Sequence, residues 1–350
     1  MVMPVLALTL LIRLSLPAQT EPPLEPLWSL EGGNSLAFSP DGKMLATGSS
    51  DHEIRLWNLS TGEKLKTLSG HTGDVSALAY SPDGKSLASG SWDDHTLRRW
   101  EVSSGKLLKT LTASDTRTYT GQARGPLVPD SCVRALRYTR DGKFILAGLN
   151  ESLAFLGPTT LETAGSVLAH RPWKESGGGG IGGVYDVGCY GLALSPDGTK
   201  AATSGVDRCG RVWDLKTKKE LSTLEGHGDN VPGIAFSPDG KTIATGCHDG
   251  KVRFFDAKSG KVGLVIDVGA SPSPGGQKFS LWAVAFSPSG KWIVSVGSNS
   301  PKLWDAESGK EICDIPAAGM AAAFSPDGTL LAVGSRVFRL KTITETDGKK

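Results

Sequence analysis

With 350 residues, 39% of them hydrophobic, the chain can bury a substantial core, and its length alone allows two or three domains. Its 38 basic and 36 acidic residues leave a formal charge of +2 with no run of like charges, so electrostatics points to neither a nucleic-acid nor an anionic-membrane partner.

The first 18 residues differ in kind from the rest. Residues 5–12 are apolar apart from Thr9, Leu14 to Leu16 resume the run, and Pro17-Ala18 lead into Gln19-Thr20-Glu21-Pro22-Pro23. This pattern predicts a signal peptide over 1–18, cleaved after Ala18. The chain would then be exported to a periplasmic or extracellular space, with 19–26 as a proline-rich spacer. Against this stand the lack of Lys or Arg before the run, Arg13 inside it, and the large Leu16 near the cut. The alternative is an uncleaved tether or a cytoplasmic protein, but the segment is too short and broken for a membrane-spanning helix, so no stable membrane insertion is expected after cleavage.

From residue 27 onward one unit recurs. Its anchor is the tetrapeptide Ser-Pro-Asp-Gly, in which proline presets φ, aspartate suits the third turn position and glycine closes the turn in the left-handed region. The turn glycines are Gly42, Gly84, Gly142, Gly198, Gly240, Gly290 and Gly328, each between two small apolar runs that read as a hairpin. Their intervals are 42, 58, 56, 42, 50 and 38 residues, and a period near 40 with four short strands per copy is the signature of propeller blades. Inner-strand runs such as 75–80 and 234–236 are almost continuously apolar, as expected where both faces of a blade are covered.

These residues resemble the WD-repeat family. Gly70-His71 and Gly226-His227 match its glycine-histidine pair; Trp213-Asp214 and Trp304-Asp305 match its closing Trp-Asp, with Trp57-Asn58, Trp100-Glu101 and Phe255-Asp256 as variants. The resemblance covers about residues 26–340 and implies an all-β, seven-bladed propeller of four-stranded antiparallel blades over 27–341, with a polar tail at 342–350. Residues 27–31 look like an outer strand with no inner strand before it, and the last copy stops after three strands, so the first strand should complete the last blade and close the ring. A monomeric propeller is expected.

The resemblance also implies that the histidines are buried hydrogen-bond links rather than catalytic or metal groups. One set is His71 with Ser89, Asp93 or Asp94, and Trp100; the other is His227 with Thr245 and Asp249, where Phe255 replaces tryptophan. Copies without a Gly-His pair, such as those of Trp57 and Trp213, should hold partial sets. The third copy departs furthest, since Tyr138-Thr139-Arg140-Asp141-Gly142 lacks the proline and Leu156-Gly157 stand where Trp-Asp is expected.

Three intervals carry extra residues, at 112–131, 170–188 and 268–280, all between an outer strand and the next inner one. In a propeller these connections share one face with the loops between second and third strands, so the excess chain gathers on one side, where function usually sits. The glycine run at 177–183 lacks the Lys-Ser or Lys-Thr of a phosphate cradle and reads as a flexible loop.

The expected function is a non-enzymatic, cofactor-free scaffold that holds a protein or peptide on the insertion-bearing face. The channel mouth there would be lined by Asp74, Trp92, Arg134, Tyr190, His248 and Trp282, with loop residues Arg117, Tyr119, Arg124 and Trp173 extending it; Trp, Tyr and Arg dominate binding hot spots. Two alternatives are a glycan- or small-ligand-binding propeller with Trp92, Trp173 and Trp282 as platforms, and an enzyme with an unrecognised site. The six histidines are scattered without a His-x-x-x-His pair, so no metal site is expected. Of the five cysteines, export would favour a Cys189–Cys209 disulfide first and Cys132–Cys189 second; the bland alternative is small core or loop residues that do not bond.

Overall fold

The computed structural model describes residues 24–112, 132–149, 152–170, 188–269 and 280–341. The signal at 1–18, the glycine run, the tail at 342–350 and the loop residues Arg117, Tyr119, Arg124 and Trp173 lie outside the described residues.

The described chain is all β: seven four-stranded antiparallel sheets form a propeller. From the inside outward, blade one is Ser35–Phe38, Met44–Gly48, Ile54–Asn58 and Lys64–Leu68. Blade two is Val75–Tyr80, Ser86–Ser91, Thr96–Glu101 and Leu107–Thr112, and blade three is Val133–Tyr138, Ile145–Leu149, Ser152–Leu156 and Thr163–Leu168. Blade four is Cys189–Leu194, Lys200–Gly205, Gly210–Asp214 and Glu220–Leu224. Blade five is Gly233–Phe236, Thr242–Gly246, Lys251–Asp256 and Val262–Asp267, and blade six is Leu281–Phe286, Trp292–Gly297, Lys302–Asp305 and Glu311–Asp314. Blade seven takes Ala322–Phe324, Leu330–Val333 and Arg336–Leu340 from the end of the chain and its outer strand, Leu24–Ser29, from the beginning.

That closing strand begins three residues earlier and ends two residues earlier than the expected 27–31, because Leu24 pairs with Leu340 and buries its side chain in the apolar cluster of blades six and seven. Pro26 lies in the strand, next to a register shift between Pro26 and Trp28. An outer strand tolerates proline there, since one of its edges carries no ladder bonds and a bulge already interrupts the other. Just past the strand, Leu30 enters the core shared by blades seven and one with Leu45, Trp57 and Val337, so one short segment ties the two blades together. The inner strands of blades one and seven then lie side by side, and no blade is left incomplete.

The turns repeat one hydrogen-bond scheme. In blade one the Ser39 hydroxyl donates to Asp41 at 2.6 Å and accepts from the Met44 amide at 2.9 Å, while Asp41 also accepts from the Lys43 amide at 3.1 Å and Gly42 takes φ 69°. Thr139 and Asp141 reproduce the bond at 2.7 Å in the divergent third blade; in blade six Ser289 stands in for the aspartate, 3.1 Å from Ser287. These turns pack against one another around the face: a Cβ on Gly84 would stand 3.7 Å from Pro40, and one on Gly42 would stand 3.8 Å from Pro326, closing the circle. The core lies between blades. Ala46, Ile54 and Leu56 of blade one meet Val75, Leu78, Leu87 and Trp100 of blade two, and this burial from both sides explains the continuous apolar runs.

Candidate functional site

The histidines come first, because their burial decides whether they do chemistry. His71 follows the outer strand of blade one; its Nδ1–H donates to Asp94 at 2.7 Å and its Nε2 accepts from the Ser89 hydroxyl at 2.7 Å. The Trp100 indole donates to the same Ser89 oxygen at 2.8 Å. Asp94, not Asp93, is the carboxylate of the set; Asp93 accepts from the Asp74 amide instead. Burial disfavours the charged Asp94, but hydrogen bonds from His71, Thr96 and the Thr72 amide outweigh it and hold the carboxyl well below its usual range.

Blade four, expected to be partial, is complete. His170 donates from Nδ1 to Asp207 at 2.6 Å and accepts at Nε2 from Thr203 at 3.0 Å, and Trp213 donates to Thr203 at 2.9 Å. Sequence reasoning missed it because Ala169, not glycine, precedes His170, which also opens an insertion. Its position two residues beyond the outer strand of blade three was the available signal.

Blade five departs in the opposite direction. His227 accepts from Thr245 at 2.8 Å as expected, but its Nδ1–H donates to the Arg208 carbonyl at 3.2 Å rather than to Asp249. Asp249 is held by Arg253 through two bonds of 3.0 and 2.6 Å and by the Gly228 amide at 2.8 Å; this fork captures the carboxylate. Phe255 lies 5.4 Å from the imidazole and, unlike tryptophan, donates nothing to Thr245. Burial, with the Arg253 charge beside it, pushes His227 down to about 4. Blades one and six keep only the indole link, Trp57 to Thr47 at 3.0 Å and Trp304 to Ser295 at 2.9 Å.

His170, Asp207 and Cys209 bring potential metal-ligand atoms within 4.8 Å of one another. The place beside them is taken, however. The Arg211 guanidinium donates to Asp207 at 2.6 Å and stands 3.0 Å from His170 Nδ1, both ring nitrogens of His170 are engaged, and burial pushes the Cys209 thiol up to about 12. The cluster is a buried structural network with its own cation.

Cys189 and Cys209 are free thiols, contrary to the expected disulfide. Cys189 is turned towards Gly148 of blade three and donates to the Gly191 carbonyl at 3.5 Å, while Cys209 lies with His170 and Asp207. Burial also raises Cys189 to about 12, so neither is a ready thiolate.

The channel mouth is built by a device invisible in the repeat pattern. In blades two, three, four and six the inner strand carries a register shift one step from its start, at Ser76, Arg134, Tyr190 and Trp282. Such bulges re-aim a side chain out of the pleat. Arg134 lies with its guanidinium carbon 3.8 Å from the Trp92 ring centroid and 4.1 Å from that of Tyr190, so three blades contribute to one stack of indole, cation and phenol. Trp92 keeps 46% of its surface open. Its amide donates to the Asp74 carbonyl at 3.2 Å, and the Asp74 carboxylate lies 4.0 Å from His52, a neighbour that sequence reasoning did not pick out. His248 takes the equivalent loop position in blade five, its amide 2.9 Å from the Asn230 carbonyl. Trp282 packs, half-buried, against the cluster of Val294, Leu303 and Leu331 between blades six and seven. Asp74, Trp92, Arg134 and Tyr190 thus come together, while His248 and Trp282 sit on other blades.

Among the described residues no helix is long and apolar enough to cross a membrane. The family model "WD domain, G-beta repeat" matches residues 25–58, 62–101, 183–214, 218–256 and 273–305. Segment 218–256 holds the outer strand of blade four and the first three strands of blade five, so the sequence repeat is offset by one strand from the structural blade. Among curated proteins the chain is similar to small ribosomal subunit protein RACK1y of Oryza sativa subsp. japonica, 26% identical over 131 residues, covering 37% of this chain and 36% of the relative. It is 24% identical over 163 residues to pre-mRNA-processing factor 19 of Caenorhabditis elegans, covering 44% of this chain and 31% of that protein. A shorter match, 46% over 41 residues, joins it to general transcriptional corepressor TUP1 of Saccharomyces cerevisiae, covering 12% of this chain and 6% of the relative. The chain therefore spans about a third or less of the length of these relatives. The matched segments take up half of the chain and fall on strands of a seven-bladed ring, and on this evidence the chain belongs to the family of WD-domain, G-beta-repeat proteins.

Proposed function

We propose that the protein is a non-enzymatic scaffold that holds a protein or peptide partner on the insertion-bearing face, over the channel mouth. The observation that carries this reading is the stack of Trp92, Arg134 and Tyr190. It fixes an exposed indole and a guanidinium in place before any partner arrives, so little side-chain entropy remains to be lost on binding. Each cation–ring contact is worth about 0.5–2 kcal/mol. WD-repeat proteins typically serve as protein-interaction scaffolds, and the names of the three relatives speak of a ribosomal subunit, pre-mRNA processing and corepression rather than of a reaction. The enzyme reading gains no support from the histidines, whose ring nitrogens in His71, His170 and His227 are occupied by structural hydrogen bonds.

The test is partner capture followed by quantitative binding. Trp92→Ala, Arg134→Ala and Tyr190→Ala should each weaken binding by about 1–4 kcal/mol, as hot-spot residues do, while remaining folded with a melting temperature lower by only a few degrees, most for Arg134→Ala, which loses both cation–ring contacts. Lys241→Ala, on the exposed turn of blade five, should leave affinity as it is. Unaltered binding in the first three variants with loss in the fourth would place the partner on the opposite face.

A further inference from the structure

The residue two before each turn serine is alanine in six inner strands, namely Ala37, Ala79, Ala193, Ala235, Ala285 and Ala323. In blade three the corresponding residue, two before Thr139, is Arg137. In those six blades a small side chain suits the position, because neighbouring inner strands approach one another near the axis; Ala79, for example, packs into the cluster of Val133, Leu136 and Tyr138 from the next blade. Arg137 is hydrogen-bonded on one edge to Leu146 of its own sheet and flanked by the inner strands of blades two and four, so the side left for a long side chain is the central channel. Its accessibility agrees. Arg137 is exposed although inner strands flank it on both sides, as a side chain facing the open space along the axis would be; the protein around it lowers its pKa by burial.

The guanidinium has five N–H donors, and among the described residues it makes one hydrogen bond, from Nη1 to the Leu136 carbonyl at 2.7 Å, and no ion pair. No carboxylate is near enough to offset the effect of burial. A cation set among inner strands focuses positive potential along the channel. Such a charge is costly to keep unless something negative joins it.

We propose that Arg137 forms an oxyanion site inside the central channel, taking a carboxylate or phosphate group on its planar fork. Guanidinium is suited to this because two parallel N–H groups meet two oxygens of the anion. The site is distinct from the Trp92, Arg134 and Tyr190 stack, since it lies three residues along the strand towards the turns, about 10 Å from Arg134. It does not depend on a partner docking at the mouth.

The test uses the full chain and inorganic phosphate as probe, with sodium chloride at matched ionic strength and pH as the reference. At roughly ten times a Kd of about 5 mM, phosphate should raise the melting temperature of the wild type by about 2 °C over chloride. Arg137→Ala should fold, since alanine serves in the other six blades, and should lose that shift; Arg137→Lys should retain only part of it. Lys109→Ala, which removes an exposed cation on the outer strand of blade two, should respond like the wild type. A tetraglutamate peptide separates the two sources of oxyanion: a shift that also needs Arg137 shows that a peptide carboxylate reaches the channel, and a shift with phosphate alone assigns the site to a small free anion. No phosphate shift in the wild type, or an equal shift in Arg137→Ala, overturns the proposal.

Discussion

Thr203→Val separates the buried hydrogen-bond sets from simple packing. Valine keeps the shape of threonine but removes the hydroxyl that Trp213 donates to at 2.9 Å and that donates to His170 Nε2 at 3.0 Å. Both partners are buried and stay in place, so two polar groups are orphaned at about 1–3 kcal/mol each, or roughly 2–6 kcal/mol in all. Ser295→Ala in blade six orphans one group, the Trp304 indole that donates to Ser295 at 2.9 Å, and should cost about 1–3 kcal/mol. Urea titration of both variants and the wild type, with the slope checked for constancy, gives the comparison. The Thr203 variant should lose about twice as much stability as the Ser295 variant. Equal losses, or less than about 1 kcal/mol for Thr203→Val, would refute the view that His170 is an energetic member of the set.

Two further outcomes are expected. His227 has a folded-state pKa of about 4 against 6.5 unfolded, so protons favour the unfolded chain in that window; stability should be fully present above pH 6.5 and fall by about 3 kcal/mol as pH drops towards 4. Burial lowers His170 in the same direction, so His227→Gln should flatten the slope in part, and an unchanged slope in urea titrations across that range would contradict the assignment. We propose export on the strength of residues 5–18, and amino-terminal sequencing of protein recovered outside the cytoplasm should begin at Gln19; recovery only inside cells with Met1 retained would overturn it.

Local features of the chain decided the architecture before any contact between blades was known. Five Ser-Pro-Asp-Gly turns and two variants, Thr139-Arg140-Asp141-Gly142 and Ser287-Pro288-Ser289-Gly290, need only the residues within five positions, and together they specify seven hairpins. The unpaired strand at the front and the three-strand copy at the back likewise predict ring closure by counting; the strand itself shifts from 27–31 to Leu24–Ser29, because Leu24 finds its pocket beside Leu340 on the neighbouring strand while Leu30 turns into the core.

The site was legible as residue types and not as geometry. Asp74, Trp92, Arg134 and Tyr190 belong to three blades, and the period says only that they sit near one mouth. Bulges at Arg134 and Tyr190 re-aim their side chains, and the ladder alone cannot show which ring lies over which cation. Competition decided the hydrogen-bond sets. Asp249 goes to Arg253, four residues along its own chain, and so is lost to His227, while Asp207 takes His170 from 37 residues away. A repeat pattern encodes where a side chain begins, but the partner it reaches is settled by which donor stands closest once the blades are packed.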